Sequence, residues 1–160
     1  MSSLPALPVK LSPPLNDREA INDAIYRAFV GIDSNDASFF DSAFVDEGRL
    51  DIDGNIMEGR EALRTQSFGH LKTLDTTHFV TNTRVNIDEG GSTASATASV
   101  LAQHYRGGQG TNPAAPRFLA GTLNWLQFVK DEKDGGLWKI KDWKLRSVWG
   151  EGDPSVLARL

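Results

Sequence analysis

The sequence predicts an α+β fold in which amphipathic helices pack against one face of a curved antiparallel or mixed sheet. Three observations carry this reading. Early in the chain, Ile21, Ala24, Ile25, Ala28, Phe29 and Ile32 recur at helical spacing. From Thr76 onward the period changes to two, in THFVTNTRVNI and TASATASVLAQHYR. These runs are long, and the turns DEGGS and DEKDGG join them or their successors as hairpins. Helices first and strands afterwards imply segregated layers rather than alternating βαβ units.

The elements follow in chain order. The first fifteen residues hold four prolines, which predicts an extended arm over residues 1–15. One domain then spans 16–150, with a tail over 151–160. Asn16 and Glu19 have capping-box spacing at the start of the first helix. Ser34 or Asn35 caps a second short helix whose buried side is Phe39, Phe40, Ala43 and Phe44. GRLDIDGN reads as a strand turning at Asp53-Gly54, with NIMEG returning. EGREALRTQSFGHLK reads as a helix broken near Gly69. RFLAGTLNWLQFVK and LWKIKDWKLRSVW form the last hairpin, and a helical turn follows Asp153-Pro154.

Bulk properties exclude several classes of function. The 160 residues carry 17 basic and 21 acidic side chains, a net charge of -4, with no strong basic cluster to bind nucleic acid. Mean hydropathy is -0.34 and no apolar run approaches the length of a membrane span, so neither a membrane partner nor a secretory leader is expected, and a cytoplasmic location follows. There is no cysteine, which removes disulfides, thiolate metal sites and a Cys nucleophile. HxH, HExxH, GxGxxG, GxSxG and Walker spacings are absent, so neither metal nor organic cofactor is expected.

Polar residues on otherwise apolar faces are the candidates for chemistry. Asp33 lies four residues after Phe29 and eight after Ile25, so it either shares their buried stripe or bends out as a cap. His104 has the parity of Ala94, Ala96, Ala98, Val100 and Ala102. It is either a satisfied core histidine or the wall of a cavity, since small side chains leave room unless a helix approaches closely. Asn124 interrupts an apolar set in RFLAGTLNWLQFVK, as a bulge or edge residue or as a ligand-orienting amide. His78 stands at the start of a strand, and His70 is read as an exposed helix-end residue. The four tryptophans, Trp125, Trp138, Trp143 and Trp149, are read as core or subunit contacts.

The order of elements over residues 16–149, with IDSND, THF, LAQHYR and LNW, resembles the SnoaL-like group of the nuclear transport factor 2-like superfamily. The site residues resemble those of scytalone dehydratases. The resemblance implies a cone-shaped fold with the N-terminal helices on the concave face of the sheet. It implies that His78 is a general acid or base, that Asp33 accepts a hydrogen bond from His104, and that Asn124 holds a substrate oxygen. The alanines would then floor the pocket. Ile32 and Ile52 stand where that family has two water-holding tyrosines, and Tyr26 is the candidate to compensate. The expected activity is cofactor-independent dehydration, cyclisation or isomerisation of a small hydrophobic polyketide- or terpenoid-like metabolite. The expected assembly is a homodimer or homotrimer. The alternative is a non-catalytic ligand-binding or protein-interaction module of the same fold. An epoxide hydrolase would need an Asp–Arg–Asp set, which has no match here.

Overall fold

The computed structural model describes residues 5–158. Helix α1 (Asp17–Asp33) begins at the full Asn16–Glu19 capping box and buries Ile21, Ala24, Ile25, Ala28, Phe29 and Ile32. Helix α2 (Ala37–Ser42) follows. Its cap is Asp36, which accepts from the Phe39 N–H, rather than Ser34 or Asn35. Ser34 instead closes α1, and Asn35 takes a left-handed φ of 56° to turn the chain. The two helices meet at Gly31, where a Cβ would lie 2.5 Å from the Phe40 backbone nitrogen, so only glycine allows this crossing.

Phe44 belongs to the first strand and not to α2. Strand β1 (Phe44–Ile52) turns at Asp53-Gly54, both with positive φ, into β2 (Asn55–Glu58), as the Asp-Gly pair demands. A helical stretch runs as α3 (Gly59–Ala62), a π-helical turn (Leu63–Phe68) and α4 (Gly69–Leu71). Gly69 is helical rather than a break. Its N–H reaches back five residues to the Arg64 carbonyl, and a Cβ there would lie 3.1 Å from that oxygen.

Four long strands follow: β3 (Leu74–Ile87), β4 (Thr93–Arg106), β5 (Arg117–Asp131) and β6 (Leu137–Gly152). The curved sheet has the order β2-β1-β6-β5-β4-β3, with β1 parallel to β6 and every other pair antiparallel. Bulges between Thr81 and Arg84 and between Gly121 and Thr122 help it bend. Helix α1 packs on β3 and β6. Ala94 and Ala96 join the core cluster with α1 residues, so those two alanines admit the helix rather than floor a pocket. Only farther along β4 does the inner face line a cavity, through Val100, Ala102 and His104. The predicted tail begins as strand and ends in a 3₁₀ turn (Pro154–Leu157) that folds back, with Val156 fully buried. Among the described residues no helix is long and apolar enough to cross a membrane.

Candidate active site

The end of α1 meets β3, and one carboxylate accepts three hydrogen bonds at that contact. Asp33 accepts from the Thr76 hydroxyl at 2.7 Å, from the His78 backbone N–H at 2.8 Å and from His78 Nδ1 at 2.7 Å. The pair is largely covered, with side-chain exposures of 22% for Asp33 and 6% for His78. Phe29 stacks on the His78 ring at 4.4 Å and fixes its plane. Asp33 therefore orients His78 and not His104, a correction to the resemblance. The register explains the exchange: Thr76 pairs with His104 and His78 with Ala102, so the carboxylate arriving on the β3 side meets His78 first.

His104 shares the inner face with His78, their ring centroids 5.8 Å apart and nearly perpendicular. Its Nδ1 lies 3.1 Å from the Phe118 carbonyl oxygen, which can only accept. Both imidazoles open onto a cavity of about 350 Å³. Fourteen of its twenty-one described lining residues are apolar, Ile32 and Ile52 among them, and none of the described ones is Asp, Glu, Lys or Arg. Leu157 of the C-terminal turn is also part of the lining.

Two expected substrate contacts lie elsewhere. Asn124 is buried but does not line the cavity. Its Oδ1 accepts from Trp143 Nε1 at 2.8 Å and its Nδ2 donates to Thr122 Oγ1 at 3.0 Å, so it holds two wall residues from behind. Tyr26 is 44% exposed on the outer side of α1 and does not reach the cavity. Conversely, His70 is no surface residue. It lines the cavity beside Gln66 and Ser67, and its Nε2 lies 2.9 Å from the Leu157 carbonyl oxygen. The spacing Leu63, Ser67, His70 on one helical face was the available signal for it. Of the tryptophans, Trp138 and Trp143 are core residues, whereas Trp125 and Trp149 are exposed. No group of three or more potential ligands is arranged for a metal ion among the described residues.

Electrostatics separates the two histidine environments. Burial pushes the Asp33 carboxyl up, but the hydrogen bond and charge of His78, with the Thr76 hydroxyl and the His78 N–H, outweigh it and leave Asp33 below its ordinary value. His104 is lowered, chiefly by burial and further by the nearby His78, against a smaller opposing contribution from the Phe118 carbonyl. Asp33 thus stays ionised and His104 stays neutral near pH 7.

Both groups bind protons better when unfolded, so each costs stability on acidification. For His104 stability is full above 6.5 and falls as the pH drops through the lower folded value; for Asp33 the corresponding decline starts below 3.8. Urea midpoints measured between pH 8 and 5 should decline for the native chain and decline less for His104→Phe. Parallel curves would assign the decline to another group.

A SnoaL-like domain family model matches residues 13–144. The chain is 46% identical over 155 residues to "Terrestric acid biosynthesis cluster protein E" of Penicillium crustosum, covering 97% of this chain and 98% of that one. Among solved structures, one provisionally assigned as a scytalone dehydratase from Novosphingobium aromaticivorans superposes with a TM-score of 0.72 at 19% identity, over 86% of this chain and 87% of the other. A hexachlorocyclohexane dehydrochlorinase, LinA-type3 from Novosphingobium barchaimii, gives 0.70 at 16% identity, over 86% and 90%. At such identities these two likenesses concern the fold.

Proposed function

Because the chain belongs to the SnoaL-like domain family, we propose that it is an acid–base enzyme acting without metal or organic cofactor. Its substrate is a small hydrophobic metabolite with carbonyl and hydroxyl groups, which it dehydrates, cyclises or isomerises. The observation that carries this reading is the Asp33–His78 hydrogen bond of 2.7 Å beside His104 in the wall of a mainly apolar cavity. The carboxylate fixes the proton on His78 Nδ1, so Nε2 is free to take a proton from carbon next to a carbonyl. The imidazolium formed is stabilised by Asp33, more strongly in a dry cavity than in water. The same Nε2–H can then return the proton to a departing hydroxyl or to another carbon. The 46% identical relative is named for a biosynthetic cluster, which supports a secondary metabolite as substrate; the polyketide or terpenoid type rests on the family resemblance.

Carbonyl activation by a phenol-held water has no place in this scheme. The chain has two tyrosines, Tyr26 and Tyr105, and neither lines the cavity. Asn55, Gln66, Ser67 and Thr122, all in the lining, are the neutral side chains that carry donors instead. A panel of β-hydroxyketones in D₂O tests the reading. Proton NMR should show α-carbon deuteration or loss of water with at least one member. Saturable binding of the panel with neither reaction would instead support the non-catalytic module.

The proposal includes a homodimer or homotrimer. On the outer face of the sheet, Phe79, Leu101, Gly121 and Trp149 form one cross-strand row, and Phe79, Leu123, Trp125, Val148 and Trp149 are exposed. Light scattering should give two or three chains for the native protein and one for Trp149→Glu. A native monomer at micromolar concentration would remove this part of the proposal.

A further inference from the structure

Three imidazoles line one cavity, and each is tied by one ring nitrogen to an oxygen that can only accept. His78 is committed to the carboxylate of Asp33 and to proton transfer. The other two are held by backbone carbonyls: His104 through Nδ1 to Phe118 at 3.1 Å, and His70 through Nε2 to Leu157 at 2.9 Å. A carbonyl partner places the ring proton on the bonded nitrogen. In the neutral rings this leaves a lone pair on Nε2 of His104 and on Nδ1 of His70. The two histidines thus hold opposite tautomers, and each keeps an acceptor.

The rest of the lining narrows the ligand. Among the described residues of the wall no side chain is charged, so an ionic substrate would bury its charge there without a counter-ion. The cavity of about 350 Å³ has room for a molecule of on the order of a dozen non-hydrogen atoms, taking roughly 30 Å³ per water as the measure. A ligand presenting only carbonyl oxygens to these histidines would set lone pair against lone pair, and a wholly apolar one would leave both acceptors unmet.

We propose that the cavity selects a neutral substrate bearing at least two hydroxyl or enolic O–H groups, which donate to Nε2 of His104 and Nδ1 of His70. This rests on the acid–base reading of the site and adds the donor pattern that the substrate must carry. His70 and His104 are specificity-determining residues in this assignment, and His78 alone is the base.

The full chain, labelled with ¹⁵N in its imidazoles, tests the premise by NMR: His104 should show the Nδ1–H tautomer and His70 the Nε2–H tautomer. Calorimetric titration then compares 1,6-dihydroxynaphthalene, its isostere 1,6-dimethylnaphthalene and the acceptor-only 1-tetralone. The diol should bind at least tenfold more tightly than either. His104→Phe and His70→Phe should each weaken the diol about three- to tenfold, the worth of one net hydrogen bond, and leave the ketone unchanged. Reversed tautomers, equal affinities, tighter binding of the ketone or no binding of the diol would each overturn the inference. Binding is read without turnover, so the two readings fail separately. A donor preference with no chemistry on any hydroxyketone sinks only the acid–base reading, whereas turnover with ketone preference sinks only this one.

Discussion

Asp33→Asn is expected to reduce turnover about 10²- to 10⁴-fold, the range for loss of a positioned acid–base group. His78→Gln should lose as much, because the two act as a unit. The reason lies in the proton on His78. The carboxylate accepts from Nδ1 at 2.7 Å and so leaves Nε2 unprotonated toward the cavity. An Asn side chain offers one acceptor where the carboxylate meets three donors: the Thr76 hydroxyl, the His78 N–H and His78 Nδ1. Its amide nitrogen would face Nδ1 as a donor and favour the opposite tautomer, with a proton on Nε2 where the base is required. Asp33 does not itself line the cavity, so the loss should fall on kcat with KM nearly unchanged. Thr76→Val removes one of the three donors and should cost less. The assay is turnover on whichever hydroxyketone the native protein accepts, with circular dichroism to confirm folding. A folded Asp33→Asn protein within threefold of native turnover would show that His78 does not work through this carboxylate.

The largest expected effect on stability is at Arg27, which no sequence pattern singled out. It is 1% exposed inside α1. Its Nε donates to Asp23 at 2.9 Å, its Nη2 to the Trp138 carbonyl at 2.6 Å and its Nη1 to the carbonyl and hydroxyl of Ser42. One guanidinium therefore ties α1 to the end of α2 and the start of β6. Burial lowers its pKa, against the opposing charge of Asp23, yet an arginine remains protonated under all ordinary conditions. Arg27→Met would leave Asp23 without its partner and two backbone carbonyls without donors. The expected cost is about 3–5 kcal/mol, a fall of roughly 10 °C in Tm for a domain of this size. Lysine should not rescue it, since one ammonium cannot span three elements. The double variant Asp23→Leu/Arg27→Met should recover part of the loss, because it removes the stranded charge as well. Scanning calorimetry of the four proteins checks both statements. A single variant within 2 °C of native would mean that packing, and not these bonds, holds the junction.

How far the site was legible varies residue by residue. His104 could be placed on an inner face from its parity with the alanines, because alternation is a local property of an extended chain. The same parity left open whether a helix or a cavity lay opposite. Both occur, with α1 over Ala94 and Ala96 and the cavity beside Ala102. Asn124 was recognised as an odd polar group, but its partner Trp143 belongs to the next strand across a bulged register, which no spacing within RFLAGTLNWLQFVK encodes. Tyr26 failed for a related reason. A separation of seven predicts a shared helix face, yet Asp33 is the last residue of α1 and turns to β3 while Tyr26 stays on the solvent side.

What the sequence by itself determined is what depends on neighbours within about four positions. The Asn16–Glu19 cap, the apolar stripe of α1, the Asp53-Gly54 turn and the alternation of the long strands all follow from backbone geometry and local hydrogen bonding. Only the tertiary structure decided which histidine Asp33 meets, 45 residues away along the chain. It likewise decided that His70 enters the cavity and that Leu157 of the C-terminal turn joins its lining. Those choices depend on strand register, bulges and the crossing of α1 on the sheet, which are settled by the packing of the whole core rather than by any segment of it.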